Sequence, residues 1–401
     1  MEKTLASWFF MRPGFSTFRL EPEKHRQFLF GSREREQRDQ ILGELEGSSY
    51  GGDGFKAVVF GDYGRGKTHL CHNLEFEIEK TELKIKPIYI KCSNFTSKAP
   101  FQALFEEMIT QFPTSDVKRV ATAYARLVQE NKADPLIKIV HSEDIALVMS
   151  EGLTVVSDSL VRNCMRWLGG EAKVPMEAIK TGIVPQLTDS RRFGSVLRGL
   201  SHMYSEVDGS GIQFFIDEAE RLNNISNADA FATWLVCLRE LTEIPRVGIM
   251  FFVGANTRND LPVLLMQEEI SRRIGVVNYL ELLGPGRDDL RAFMLELFST
   301  CIQKGAVPAP HGEVMPEEGK VASVPDELVK VTNGEKRRLE AFPFEPDAFD
   351  EFIENALMGQ TSSKPSEVLI RILKVAQRAI RKGKQTIDMS IVNEISAEGM
   401  S

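Results

Sequence analysis

Gly61-Asp62-Tyr63-Gly64-Arg65-Gly66-Lys67-Thr68 reads G-x-x-x-x-G-K-[ST], and its flanks decide the fold. Residues 56–60 before it form a short β-branched run; after it Leu70, Leu74 and Ile78 recur at intervals of four, the period of a helix. The order is strand, glycine loop, helix. Glycines leave backbone N–H groups free to wrap phosphates, and the helix N-terminus adds partial positive charge. Lys67 is placed to reach the β and γ phosphates and the Thr68 hydroxyl to ligate Mg²⁺. The expected nucleotide contacts are Gly61, Asp62, Tyr63, Gly64, Arg65, Gly66, Lys67, Thr68 and the adjoining His69, with ATP and Mg²⁺ as cofactors.

Outward from this loop, residues 26–46 mix apolar and charged positions at helical spacing and lead to the turn Gly51-Gly52-Asp53-Gly54. Residues 88–91 read as a second strand, followed by a helix through Leu104, Phe105, Met108 and Ile109. Residues 114–205 then give helix after helix, with breaks near Asp134-Pro135, Gly169-Gly170 and Pro185, so a large helical insertion is expected there. Two continuous apolar runs, 212–216 and 247–253, are separated by a helical pattern through Trp234, Leu235, Leu238 and Leu241. Unbroken apolar character predicts strands covered on both faces. A last strand is expected at 276–280, before a helix around 290–298.

The fold class is therefore α/β, a parallel sheet flanked by helices. Residues 1–25 form an N-terminal segment and 26–301 the nucleotide-binding core with its insertion. Residues 302–340, rich in Pro, Gly, Glu and Lys, read as a flexible excursion, and 341–401 as a helical lid.

A second chemical element closes the strand at 212–216, which ends in Asp217-Glu218. In an open α/β sheet the carboxyl ends of the strands form the ligand edge, so this acidic pair is expected beside the glycine loop. Asp217 would hold Mg²⁺ with Thr68, and Glu218 would orient or deprotonate the attacking water. The next strand ends in Gly254-Ala255-Asn256-Thr257, making Asn256 the candidate to sense the γ phosphate, with Thr257 as its understudy and a plain turn as the other reading. Ser271-Arg272-Arg273 offers a guanidinium that could act across a subunit interface; either arginine could instead pair with Glu268 or Glu269.

The chain has 401 residues, 42% of them hydrophobic, which is globular composition. Its five cysteines are odd in number and scattered without a C-x-x-C pair, so reduced, buried thiols are expected rather than a zinc site. Trp8-Phe9-Phe10 is cut short by Arg12 and Pro13, unlike a signal peptide, and no run reaches the length of a membrane span, so a cytoplasmic protein without a membrane partner is expected. Acidic residues outnumber basic ones, 57 to 49, so any DNA contact must come from a local patch. Arg371, Lys374, Arg378, Arg381 and Lys382 fall on one helical face, either such a patch or a solvated surface.

In this order the motifs resemble AAA+ and related STAND ATPases of the origin-recognition type, over roughly residues 26–301 and 340–397. The resemblance implies that Phe30-Gly31-Ser32-Arg33-Glu34-Arg35-Glu36 is the G-R-x-x-E box lying against adenine, which adds Gly31 and Arg33 to the nucleotide site. It also makes Asn256 sensor 1 and Arg272 or Arg273 the arginine finger. Met165-Arg166-Trp167-Leu168-Gly169-Gly170-Glu171, followed by Gly211 to Leu222, is similar to ATP-binding proteins of bacterial BREX phage-defence systems. That likeness implies a defence setting, with double-stranded DNA and a defence or effector protein as partners. Two departures stand out: Ser363-Lys364-Pro365-Ser366-Glu367 carries serine where the clade has its sensor 2 arginine, and the chain ends soon after the lid.

Two readings share this site. One is an ATP-hydrolysing homo-oligomer acting on DNA or a defence partner. The other is a slowly turning nucleotide-gated switch that recruits a partner protein, which exposed aromatics at Trp8-Phe9-Phe10 would favour. A small-molecule kinase is a third reading, disfavoured by the finger and the helical lid.

Overall fold

The computed structural model describes residues 4–171, 187, 189–302, 341–358 and 364–398. The chain divides into a sheet unit, Arg38–Asp62 with Lys67–Leu282, and a helical unit, Met1–Gln37, Tyr63–Gly66 and Leu283–Ser401.

The sheet unit is built on β1 (Lys56–Gly61), β2 (Ile85–Lys91), β3 (Gly211–Asp217), β4 (Val247–Gly254) and β5 (Tyr279–Glu281). They form one sheet in the order β2-β3-β4-β1-β5, and every pairing is parallel. From Ala57 to Gly61, from Ile212 to Asp217 and from Val247 to Val253 every residue is buried, the expected consequence of a parallel sheet covered on both faces. Gly54 permits the close approach of β1 to β4, since a Cβ there would lie 2.0 Å from the Val247 carbonyl carbon. The register sets Gly61 opposite Gly254 and Lys91 opposite Asp217, so these four residues lie along one edge of the sheet.

Helices α1 (Ser32–Gly51) and α2 (Lys67–Thr81) flank β1 in sequence, and α3 (Gln102–Thr110) follows β2. The insertion continues with α4 (Thr114–Gln129), α5 (Asp158–Leu168) and α6 (Phe193–Asp208), and no strand interrupts its described residues. Its Pro185 break lies outside the described residues. The insertion shares the sheet's core: Phe112 meets Phe214 of β3 edge-on at 6.1 Å, and Phe105 stacks on Phe193 at 4.2 Å. Asp116, in the first turn of α4, ties the three layers together. Its carboxylate lies 2.7 Å from Lys86 Nζ on β2 and 2.8 Å from the Arg119 guanidinium, and accepts from the Tyr204 hydroxyl of α6 at 3.0 Å.

The segment Met165 to Glu171 ends α5. Trp167 is buried, Arg166 pairs with the Glu171 carboxylate, and Gly170 takes φ +84°. A Cβ at Gly170 would lie 3.1 Å from the Leu187 carbonyl, so this glycine is needed both for its conformation and for space. The motif forms the C-terminal end of α5.

After α7 (Ala228–Thr242) and β4 come α8 (Glu268–Ile274) and β5. The expected strand at 276–280 is corrected: Val276–Asn278 is a 3-10 turn and β5 begins only at Tyr279. The reason is local, because Gly275 turns the chain at φ +89° and the Asn278 amide is spent on the carbonyls of Lys56 and Ile274. Val276 and Val277 are consequently 69% and 82% exposed.

The helical unit contains α9 (Arg287–Cys301), α10 (Pro346–Met358), α11 (Pro365–Arg381) and α12 (Met389–Glu398). Its core takes in the N-terminal aromatics: Phe9 packs on Phe18, Phe18 meets Phe298 of α9 at 5.5 Å, and Trp8 Nε1 donates to the Lys384 carbonyl at 2.9 Å. Trp8 and Phe9 are thus buried, which removes the exposed-aromatic argument for the switch reading. The excursion read at 302–340 lies, from 303 on, outside the described residues. No helix among the described residues is long and apolar enough to cross a membrane, and all five cysteines are buried thiols.

Candidate nucleotide site

Thr68 and the carboxyl ends of β1 and β3 are brought together in the sheet unit by the parallel register. Thr68, in the first turn of α2, donates from Oγ1 to Asp217 Oδ2 at 2.7 Å, although the two are far apart in sequence. Lys67 is 8% exposed, and its ammonium donates to the carbonyls of Gly61 at 2.8 Å and Asp62 at 3.0 Å, folding back along the loop it belongs to. Gly64 and Gly66 take φ +81° and +88°, left-handed conformations that glycine adopts without strain. A Cβ at Gly66 would meet nothing within 4 Å, so the protein itself does not fill the space beside that residue. Tyr63 is exposed, while Asp62, Arg65 and His69 each have an interaction partner.

Asp217 is 2% exposed and well supplied with donors. Its Oδ1 accepts from the Glu218 backbone N–H at 2.9 Å, and its Oδ2 from Thr68 and from the Tyr89 hydroxyl at 3.2 Å. Burial, then the Asp217 charge, pushes the Tyr89 phenol far above its usual range, so it keeps the proton it donates to Asp217. Among the described residues no group of three or more His, Cys, Asp or Glu could hold a metal ion. Mg²⁺ usually takes one or two protein ligands and fills its shell with phosphate and water, so the paired hard oxygens of Thr68 and Asp217 suit it.

Glu218 adopts φ +55°, a left-handed conformation uncommon for a residue with a Cβ. Its carboxylate is held by two cations: Lys91 Nζ at 3.0 Å and the Arg221 guanidinium, which also reaches Asn94. Glu220 accepts from the Gly254 backbone N–H at 2.8 Å and so fastens the end of β4 to the turn after β3. Beyond that end, Asn256 is exposed and has no hydrogen-bond partner among the described residues. Thr257 is committed to capping the turn Arg258–Asp260, through Asp260 at 2.9 Å.

The two arginines on α8 part company. Arg273 is bound to Glu243 at 3.1 Å and to the Glu269 carbonyl at 2.6 Å, so its anionic partner is Glu243 rather than the expected Glu268 or Glu269. Arg272 is exposed and makes no ion pair or hydrogen bond among the described residues.

In the helical unit, Gly31 takes φ +92° and donates its N–H to Glu296 at 3.0 Å; Arg33 reaches the Gly284 carbonyl at 3.3 Å, and Arg35 grips Glu296 with two bonds of 2.7 Å. The start of α1 is thereby anchored on α9. Glu34 Oε2 is buried without a partner, and burial raises its carboxyl above the usual range. Ser366, in the first turn of α11, donates its backbone N–H to the Gly64 carbonyl at 3.2 Å. On the basic stripe, Arg378 and Lys382 share the Glu394 carboxylate and Arg371 donates to the Asn355 carbonyl, while Lys374 and Arg381 are exposed and make no ion pair among the described residues.

Tyr89, Lys91 and Arg221 have no role assigned from the sequence, and Glu220 enters there only as part of the stretch Gly211 to Leu222. The first two sit on β2, which the apolar pattern located without its register. Glu220 and Arg221 lie within that stretch, but the sequence does not show which side chains or backbone groups they meet.

A parallel sheet with a glycine loop at the end of β1, Thr68 joined to Asp217, and the acidic strand β3 separated from β1 by β4 together define a P-loop nucleotide-binding protein of the AAA+ type. Residues 128–250, from the helical insertion into β4, match the family model described as BREX system ATP-binding protein BrxC/D. No curated protein matches the chain in sequence. Among solved structures it is similar to the ORC2 protein of Aeropyrum pernix in ADPNP-ADP complexes, with 11% identity over 91% of this chain and 68% of that one, at a TM-score of 0.47. Similar too are the Drosophila ORC bound to DNA, with 11% identity over 93% and 62% of the chains at TM-score 0.47, and domain III of the Thermotoga maritima replication initiation protein DnaA, with 12% identity over 96% of each at TM-score 0.40.

Proposed function

We propose that this protein binds ATP with Mg²⁺ and hydrolyses it within a homo-oligomer that acts in DNA transactions of bacterial anti-phage defence. The observation that carries the reading is the hydrogen bond from Thr68 to Asp217 beside Glu218, which assembles the phosphate loop, a metal-binding carboxylate and a general-base carboxylate at one sheet edge. Lys67 and the loop amides bind the phosphates, Thr68 and Asp217 take the metal, and Asn256 senses the γ phosphate. The metal neutralises phosphate charge when bound. Arg272, exposed and without an ion pair or hydrogen bond among the described residues, is the residue offered to a neighbouring copy, whereas Arg273 is held by its own subunit.

Double-stranded DNA and a defence or effector protein are the proposed partners, supported by the BREX family match, and the cytoplasm is the proposed location. A second reading, a slow nucleotide-gated switch that recruits a partner protein, draws support from the two cations that hold Glu218. The deciding experiment measures phosphate release by wild type and Glu218→Gln, together with particle mass by light scattering with and without ATP·Mg²⁺ and duplex DNA. Turnover with ATP-dependent growth promoted by DNA supports the first reading. Tight ATP binding at unchanged mass and negligible turnover favours the switch.

A further inference from the structure

One face of α2 is tied to the sheet by two rungs. Thr68 and His72, one helical turn apart, point the same way: Thr68 Oγ1 donates to Asp217 Oδ2 at 2.7 Å, and the His72 ring lies against the Tyr89 ring with centroids 4.3 Å apart. The Tyr89 hydroxyl joins the rungs by donating to the same Oδ2 at 3.2 Å, while His72 is braced by Glu75 at 2.8 Å. Tyr89 and Asp217 come from adjacent strands, Tyr89 standing opposite Phe215 and Lys91 opposite Asp217.

A carboxylate as buried as Asp217 needs hydrogen-bond donors, and its orientation follows from where they stand. The Thr68 hydroxyl has one proton and lone pairs to spare, so it can ligate a cation and still donate to Asp217. Its direction then depends on Asp217 keeping still. We propose that Tyr89 is a positioning residue for a divalent cation–nucleotide complex: its hydroxyl, set by the His72–Glu75 brace, holds Asp217 Oδ2 toward Thr68 so that both oxygens meet the cation already oriented. The inference rests on the reading of Thr68 and Asp217 as the Mg²⁺ end of the site.

The test titrates Mg²⁺ into full-length protein saturated with a fluorescent ATP analogue, and measures nucleotide affinity separately in EDTA. Tyr89→Phe keeps the ring against His72 and removes only the hydroxyl. Its Mg²⁺ midpoint is expected to rise about tenfold, the lower end of what loss of an outer-sphere partner does, with EDTA affinity unchanged. Asp217→Asn is expected to raise the midpoint at least as far. A wild-type midpoint in Tyr89→Phe beside a displaced one in Asp217→Asn overturns the role of Tyr89 alone, and an undisplaced midpoint in Asp217→Asn overturns the metal reading with it. Loss of EDTA affinity in Tyr89→Phe would mark a general structural role and also overturn the proposal.

Discussion

Lys91 Nζ lies 3.0 Å from Glu218 Oε1, at the ends of adjacent strands, and Arg221 takes the other carboxylate oxygen. A carboxylate gripped by two cations is drawn away from water, which bears directly on the proposed role of Glu218 as general base. Glu218→Gln should lower kcat by at least about a hundredfold, the contribution expected of a positioned base, while ATP affinity holds. Arg221→Ala should raise kcat by up to about fivefold, since a part-exposed ion pair contributes roughly 0.2–1 kcal/mol. Single-turnover phosphate release reads both, and equal rates for wild type and Glu218→Gln would remove Glu218 from the chemistry.

Lys67 holds two loop carbonyls in a buried position, so it is already directed along the phosphate loop. Lys67→Ala should weaken ATP binding by about ten- to a hundredfold, as loss of charge-assisted hydrogen bonds of about 1.5–3 kcal/mol implies. Isothermal titration calorimetry checks this, and an unchanged Kd would place the triphosphate elsewhere.

Arg272 and Arg273, neighbours in sequence, should separate in function. Arg272→Ala is expected to reduce turnover about a thousandfold in the assembled state and to have no effect on protein diluted below assembly, as befits a finger supplied in trans. Arg273→Ala loses its Glu243 contact and should cost at most about 1 kcal/mol of stability, with turnover retained. Steady-state rates across a concentration series distinguish them; identical losses would sink the assignment.

Asp116 should make stability fall in acid. Burial by itself raises its pKa, but hydrogen bonds from Lys86 and Arg119 more than offset this, and the net shift is downward. The folded state therefore binds this proton less readily than the unfolded chain does. The stabilisation is complete above the unfolded value and is lost as pH falls through it toward the folded one. Asp116→Asn should cost about 1–3 kcal/mol near neutrality, by loss of charge-assisted bonds, and the gap from wild type should close below about pH 4. Urea unfolding at both pH values is the measurement, and a gap independent of pH would contradict the pairing.

Much of this protein was legible before folding because its signals are local. The glycine loop needs its residues at fixed spacing, and continuous apolar runs announce strands that are buried on both faces, so the runs 56–60, 212–216 and 247–253 fall inside the strands Lys56–Gly61, Gly211–Asp217 and Val247–Gly254. Ends of elements were harder. Gly275 and the Asn278 amide delay β5 to Tyr279, a competition between turn chemistry and apolar pattern that composition does not settle.

The sequence by itself determined the phosphate loop, the acidic strand end, the helical insertion and the family likeness, all carried by residues close together in the chain. Only the tertiary structure decided which distant groups meet. Parallel register sets Lys91 opposite Asp217 and brings Tyr89 to its carboxylate, α8 commits Arg273 to Glu243 while leaving Arg272 exposed, and the helical core takes in Trp8 and Phe9. The physical reason is range: hydrogen bonds and ion pairs act over a few ångströms in space, and strand register and side-chain packing, which set those ångströms, are properties of the assembled sheet and core.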